Sequence, residues 1–311
     1  MVDVKEVAEN IYMIDDQLYS IPKFGSVYLI NEGGKALVDT GPATSANVVL
    51  DGIRELGIGP EDIDYLIVTH IHLDHAGGAG FLIRDMPQAQ VVVHHRGAKH
   101  LVNPTKLISS TMAAQSQVEE GTVKEADVLP IEAERVKPVY DGDIIKLSEQ
   151  QVLKIIDAPG HAPHELCIHE SRNNGMFTGD AAGISAVEHE VLVMGNSPPS
   201  FDLDLSIDTL KKLMKLKASR IYYAHFGMSG EAQKHLQLAI DTLQAWDDII
   251  TESVRENKFG GVVERLMAQV YAQLAPIRKK APSIYEHLVK HDMPMSIDGY
   301  LRYYQDKHGL S

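Results

Sequence analysis

Apolar positions along the chain recur with two periods. Residues 9–16 (ENIYMIDD) and 25–41 (GSVYLINEGGKALVDTG) read as β-strands, with Glu32-Gly33-Gly34 supplying a turn between two of them. Residues 44–57 (TSANVVLDGIRELG) switch to helical spacing. Thr44 or Ser45 caps the start, Val48, Val49, Ile53 and Leu56 form the stripe, and Gly57 ends it. The runs IDYLIVTH (63–70) and AQVVVHH (89–95) are apolar without alternation, which predicts strands covered on both faces.

Short strands with turn signals between them follow at DGDIIKL, QVLKIIDAPG, ELCIHES and NNGMFTGD. SIDTLKKLMKLK then reads as a helix and SRIYYAH (219–225) as a last strand. Residues 98–130 break this rhythm at Asn103-Pro104 and read as an inserted helical loop. From 231 the pattern is helical almost to the end. Leu236, Ile240, Leu243 and Trp246 keep one face, and Val263, Leu266, Val270 and Leu274 another, with breaks at Phe259-Gly260-Gly261, Pro282 and Pro294. The expected fold class is a layered α/β domain over residues 1–230, carrying a helical C-terminal extension over 231–311 that packs on it.

Charge narrows the partners. Lys+Arg number 29 against 43 Asp+Glu, a formal balance of −14. The basic clusters are short: Lys211-Lys212 with Lys215 and Lys217, and Arg278-Lys279-Lys280. Nucleic acid is therefore a poor partner. Cys167 is the single cysteine, which excludes an intrachain disulfide and fits a reducing compartment; its strand context makes it a small buried hydrophobe. The acidic first sixteen residues carry no apolar signal-peptide region, and no run approaches eighteen apolar residues. The expectation is a cytoplasmic protein without a membrane partner.

The chemistry concentrates in VTHIHLDHAGG, residues 68–78. His70 and His72 stand two apart directly after a strand, so in extended backbone both rings share a face and reach one metal ion. Asp74 and His75 come as the chain turns at Ala76-Gly77-Gly78, which redirects them toward a second ion close by. Open α/β sheets place ligands at the C-terminal ends of strands, and three more ligand-type residues stand there: His161, Asp180 and His225. The set is five histidines and two aspartates. His164, three residues after His161, is a candidate for the pocket wall, as are Met112, Met194, Phe201 and Phe226. His94 and His95 read as surface or supporting residues, and His100, His169, His189, His235, His287, His291 and His308 as surface residues.

THIHLDH (69–75), PGH (159–161), TGD (178–180), AH (224–225) and the upstream VDTG (38–41) occur in an order that resembles the metallo-β-lactamase-fold superfamily, in its glyoxalase II-like and lactonase-like branches. The resemblance spans most of residues 10–230. It implies an αββα sandwich with a dinuclear site at its edge, where residues matching His70, His72 and His161 hold one ion and those matching Asp74, His75 and His225 the other. The residue matching Asp180 bridges them, and Asp39 matches a position that orients the ligand loop.

Two divalent ions, zinc first with iron, manganese or cobalt also suited to these ligands, would hold a bridging hydroxide. That hydroxide would cleave an ester, thioester, lactone or phosphoester bond of a small-molecule substrate, with Asp74 orienting it. Gly183 stands where dedicated lactonases of the family carry a tyrosine, which weakens a lactonase assignment. A mononuclear iron persulfide dioxygenase-like oxidoreductase and a metal-retaining binding protein without catalysis are the alternatives. The family often dimerises, and a homodimer is expected. The insert 98–130 and the tail are expected to roof the site.

Overall fold

The computed structural model describes residues 2–115, 128–256 and 259–308. Two β-sheets face one another, each covered on its outer side by helices. The first has seven strands in sequence order: β1 Val4–Ala8, β2 Ile11–Asp15, β3 Ser26–Asn31, β4 Lys35–Val38, β5 Tyr65–Ile67, β6 Gln90–His94 and β7 Val136–Val139. β1 to β4 pair antiparallel and β4 to β7 parallel. The second sheet has six strands: β8 Ile144–Lys146, β9 Val152–Asp157, β10 Leu166–Glu170, β11 Gly175–Phe177, β14 Arg220–Tyr222 and β15 Met228–Ser229. A separate hairpin pairs β12 Ile184–Ala186 with β13 Val191–Val193.

The pleat divides these strands between three cores. In β3, Val27 and Leu29 face the outer helices while Tyr28 and Ile30 face the second sheet. In β11 and the chain leaving β14, Phe177 and Tyr222 face inward, and Met176, Ile221 and Tyr223 outward. Alternation of period two is what lets one strand serve two layers. The first sheet's outer face is covered by α1 Ala46–Glu55, α2 Leu73–Ala76, α3 Ala79–Leu82 and α4 Ala98–Val102. The second sheet's outer face is covered by α6 Leu203–Met214, α7 Ala232–Arg255, α8 Val262–Leu274, α9 Pro282–His287 and α10 Met293–His308. This is the αββα arrangement.

Several local readings differ. Ser45 precedes α1, but its side chain makes no capping hydrogen bond, because a short 3₁₀ turn at Ala43–Ser45 leads into the helix. On α8 the buried face is Val262, Leu266, Val270 and Leu274, spaced by four, and Val263 is turned outward. Pro294 does not break the tail. It stands in the first turn of α10, where a missing N–H costs nothing, directly after a π-helical turn at Leu288–Asp292. Within the 98–130 insert, α4 and α5 (Thr105–Gln115) are helical, and residues 116–127 lie outside the described residues. The tail helices share one continuous core with the second sheet: Trp246, Leu266 and Tyr300 belong to the same cluster as Cys167, Met176 and Ile221. No helix among the described residues is long and apolar enough to cross a membrane.

Candidate metal centre

All seven predicted ligand residues meet at one edge of the sandwich, where β5, β9, β11 and β14 end. His70 and His72 leave the end of β5, and Asp74 and His75 occupy the single turn of α2. His161 follows β9, and the turn ahead of it needs Gly160 at φ +143°. A Cβ there would lie 2.5 Å from the Ser206 Cα. Asp180 follows Gly179, whose φ of +50° and close approach to Thr69 and Glu165 leave no room for a side chain. His225 follows β14.

Two groups of three face each other. His72 Nδ1 lies 2.9 Å from both His70 Nε2 and His161 Nε2. His75 Nε2 lies 3.4 Å and His225 Nε2 3.6 Å from Asp74 Oδ2. Asp180 divides its oxygens between them: Oδ1 is 3.3 Å from His75 and from His225, and Oδ2 is 3.6 Å from His161. The ligand atoms of each group, and of the linking set His70, His75 and Asp180, all lie within 4.8 Å of one another.

Two of the outward ring nitrogens are held by hydrogen bonds. His161 Nδ1–H donates to the Gly195 carbonyl at 2.6 Å, and His75 Nδ1–H donates to Asp39 Oδ2 at 3.0 Å. Each bond fixes the tautomer that turns Nε2, with its lone pair, toward the centre. His75 Nε2 and Asp180 Oδ1 are buried without a hydrogen-bond partner among the described residues. Inward-facing imidazole lone pairs, two carboxylates and orphaned buried atoms together fit divalent transition-metal ions.

Charge follows the same layout. Burial, with His161 and His164 nearby, pushes His72 down to about 3. Burial, with His75 and His72, holds His70 well below the usual imidazole range. For His75, burial acts downward, but Asp74, Asp180 and Asp39 outweigh it and raise the group well above that range, so a metal ion would have to displace the Nε2 proton to use its lone pair. Asp180 is lowered because His75, His225 and His161 overcome its burial.

Asp39 lies beneath the ligand loop. Besides His75, its carboxylate accepts the Thr69 backbone N–H at 2.7 Å and the Thr69 hydroxyl at 2.9 and 3.0 Å. His164 lines the cavity over the site, a space of about 320 Å³. The insert contributes Leu107 and Thr111 to its wall, and the tail contributes Met295 and Ser296. Met112, Met194, Phe201 and Phe226 do not line it. Met112 is on the exposed side of α5, and the other three are packed in the cores.

Several histidines read as surface or supporting residues are wholly or partly buried, among them His94, His100, His235 and His287. His94 is buried, with Nε2 3.5 Å from Asp157 and its ring stacked on His95. His100 lines the cavity, and His287 is half-buried and stacked on Tyr19. Gly183 is fixed by its hairpin: at φ +90°, a Cβ would lie 2.5 Å from the Val193 carbonyl oxygen.

Sequence reasoning missed Glu165, Asp16 and Tyr19. Glu165 accepts the Asp180 backbone N–H at 2.7 Å and is fully buried beside His70. Asp16, at the end of β2, obeys the same strand-end rule that picked out Asp180, and the rule could have found it. Tyr19 and the tail residues had no signal, since nothing in their spacing points to a site.

Comparison with known proteins agrees with this geometry. Residues 21–225 match the family model of the metallo-beta-lactamase superfamily. A metallo-beta-lactamase fold-containing protein of Sulfurisphaera tokodaii is 26% identical over 235 residues, covering 72% of this chain and 82% of that protein. An acyl-coenzyme A thioesterase of Homo sapiens is 24% identical over 187 residues, covering 57% of this chain and 64% of that one, so the match spans under two thirds of that relative. Among solved structures, a metallo-beta-lactamase family protein of Thermus thermophilus superposes with a TM-score of 0.66 at 18% identity. It covers 98% of this chain and 96% of that one, tail included. With two thirds of its length inside the family model and its histidines and aspartates gathered at the sandwich edge, the chain belongs to the metallo-β-lactamase superfamily.

Proposed function

We propose that the protein is a dinuclear metal-dependent hydrolase that adds water to the acyl carbon of an ester or thioester, thioesters first. The observation that carries this reading is Asp180, whose two oxygens face different ligand groups. A carboxylate so placed would contribute an oxygen to each of two ions. In this reading His70, His72 and His161 hold one ion, Asp74, His75 and His225 the other, with zinc the first choice for both. Such ions supply a water acidified toward a pKa of about 7 and a Lewis acid for the carbonyl oxygen.

The chain's own groups do the positioning. Asp39 and Gly195 keep His75 and His161 in the ligating tautomer. The Asp74 side chain, one fifth exposed, is the most open of the carboxylates and faces the cavity, where it orients the attacking water. Ile71, Leu107 and Met295 give the cavity an apolar wall for an acyl chain. The acyl-coenzyme A thioesterase name carried by the human relative supports a thioester over a lactone or phosphoester.

The test joins elemental analysis to a substrate panel. Protein purified without chelator or metal-binding tag should hold about two zinc, manganese or cobalt ions per chain and hydrolyse acyl-coenzyme A or aryl esters. Asp180→Ala and His72→Ala should lose metal and activity together. One iron per chain, with oxygen consumption and no hydrolysis, would replace this reading with the dioxygenase.

A further inference from the structure

The segment joining β2 to β3 is bent in a costly way. Gln17, Tyr19, Ser20 and Lys23 all have φ between +54° and +63°. Side chains rarely tolerate that left-handed region, and four cases in seven residues need an outside hold. Two adjacent buried carboxylates provide it. Asp15 accepts the backbone N–H of Gln17 at 3.0 Å and of Lys23 at 2.9 Å, and Asp16 accepts that of Leu18 at 3.1 Å.

The hold has one evident product. Leu18 is sunk in the core at 1% exposure, and Tyr19 beside it is turned the opposite way, 48% exposed. Its side chain lines the same cavity as Asp74, Asp180 and His225. The ring is fixed on two sides. His287 of α9 stacks on it at 4.5 Å and 21°, and Phe24 packs at 6.4 Å, itself 5.6 Å from the His225 ring. The phenol oxygen makes no hydrogen bond among the described residues. A fixed ring with a free donor, delivered into a reaction cavity by a strained loop, is where strain is kept for use.

We propose that Tyr19 is a catalytic residue whose hydroxyl donates a hydrogen bond to the acyl oxygen as that oxygen becomes negative. The proposal rests on the hydrolase reading above. In that reaction the oxygen of water bonds to the acyl carbon, and the carbon–sulfur or carbon–oxygen bond to the leaving group breaks. The leaving group departs with one proton of the water, and the other passes to solvent as the acid ionises. Tyr19 keeps its proton throughout. An ordinary phenol, with a pKa of about 10, is already fully protonated at neutral pH and so stays a donor there. A donor already in place when charge develops needs no reorganisation, the condition under which such a bond contributes most.

The experiment uses the metal-loaded full chain with Tyr19→Phe and Tyr19→Ala. The Phe variant keeps the stack on His287 and removes only the hydroxyl. Its kcat should fall about ten- to a hundredfold with KM within about threefold, and metal content and melting temperature should match wild type. The second readout is binding of a trifluoromethyl ketone carrying the same acyl chain, whose hydrate mimics the tetrahedral adduct. Its affinity should fall by a similar factor, and that of the carboxylate product by much less. Retention of kcat and of analogue affinity within about twofold in Tyr19→Phe would overturn the proposal. So would a silent Phe variant beside an Ala variant impaired only in KM, which would make Tyr19 a wall. Wild-type protein that turns over no ester or thioester would sink the hydrolase reading and the proposal with it. An active wild type with an indifferent Tyr19→Phe would sink the proposal alone.

Discussion

Removing the charge of Asp39 tests how the metal centre is built. The residue is 3% exposed, and among the described residues its carboxylate reaches two partners, Thr69 and His75. Asp39→Ala strands the buried Thr69 N–H, at about 1–3 kcal/mol, and removes a charge-assisted bond to His75 of about 1.5–3 kcal/mol. It also puts alanine at φ +61°, which an aspartate tolerates better. The sum, roughly 2.5–6 kcal/mol, is a large part of a typical folding free energy, so the alanine variant confuses loss of fold with loss of site.

Asp39→Asn separates the two. It keeps the shape, the backbone preference and an acceptor for Thr69, and should cost only about 1–2 kcal/mol. What it loses is the anion that holds His75 Nδ1–H and makes Nε2 a better ligand. Loss of such a supporting carboxylate typically weakens metal affinity about 10- to 100-fold. The loss should fall on the position held by Asp74, His75 and His225. Among the described residues His70 is hydrogen-bonded toward Asp39 through the Thr69 hydroxyl, 3.3 Å from its Nδ1, one link further away than His75, so the other position should lose less. Competition of zinc against a chromophoric chelator resolves the two affinities, and urea unfolding of the same samples gives stability. A folded Asp39→Asn protein with both affinities within about twofold of wild type, or with equal losses at both, would refute the reasoning.

Asp16 gives a pH signature. Burial raises its pKa to about 7, so in the folded, metal-free protein it stays protonated far above the unfolded value of 3.8. Its stabilising contribution is therefore complete below about pH 4 and lost as pH rises through about 7. Chelator-treated wild type should lose stability relative to Asp16→Asn between about pH 4 and 7, by at most on the order of 4 kcal/mol; a difference flat across that window in paired urea titrations would contradict it. The tail should matter to the centre through Gly299, whose absent Cβ would lie 1.8 Å from the Asn196 carbonyl oxygen. Gly299→Val should destabilise by more than about 2 kcal/mol and deplete the ion beside His161, which Gly195 orients. An unchanged melting temperature and full metal content would count against that coupling.

The parts of the site legible in the sequence share one property: backbone geometry alone determines where they go. A residue one or two steps past an apolar strand emerges at the sheet edge whatever the rest of the chain does. His70, His72, His161, Asp180 and His225 could therefore be read off strand ends, and Gly160 and Gly179 are the residues that let the chain turn so sharply there. The layered α/β class was legible from the succession of strand-type and helix-type spacing, but which face of β3 or β11 meets which core was not, because both strands are apolar on both faces. Helix faces were less secure. Val262 and Val263 are equally apolar, and only the packing of α8 against α7 and α10 decides which is buried.

The cavity wall illustrates the opposite case. Tyr19, His100, Met295 and Ser296 come from a loop, the insert and the last helix, and they meet only because the tail folds back over the second sheet. Ser296 accepts the Asn196 backbone N–H at 3.1 Å, and the neighbouring Gly195 carbonyl accepts from His161. A residue near the end of the chain is thus two links from a proposed ligand, across a sequence gap that no periodicity bridges. The same contacts give the tail a role beyond roofing. Gly299 brings α10 against the backbone at Asn196, so the position of α10 sets the position of Gly195 and through it the ring of His161. If the proposed function holds, substrate groups that pressed on Met295 or Ser296 would act on the helix that orients His161, and specificity and metal retention would be properties of one packed unit.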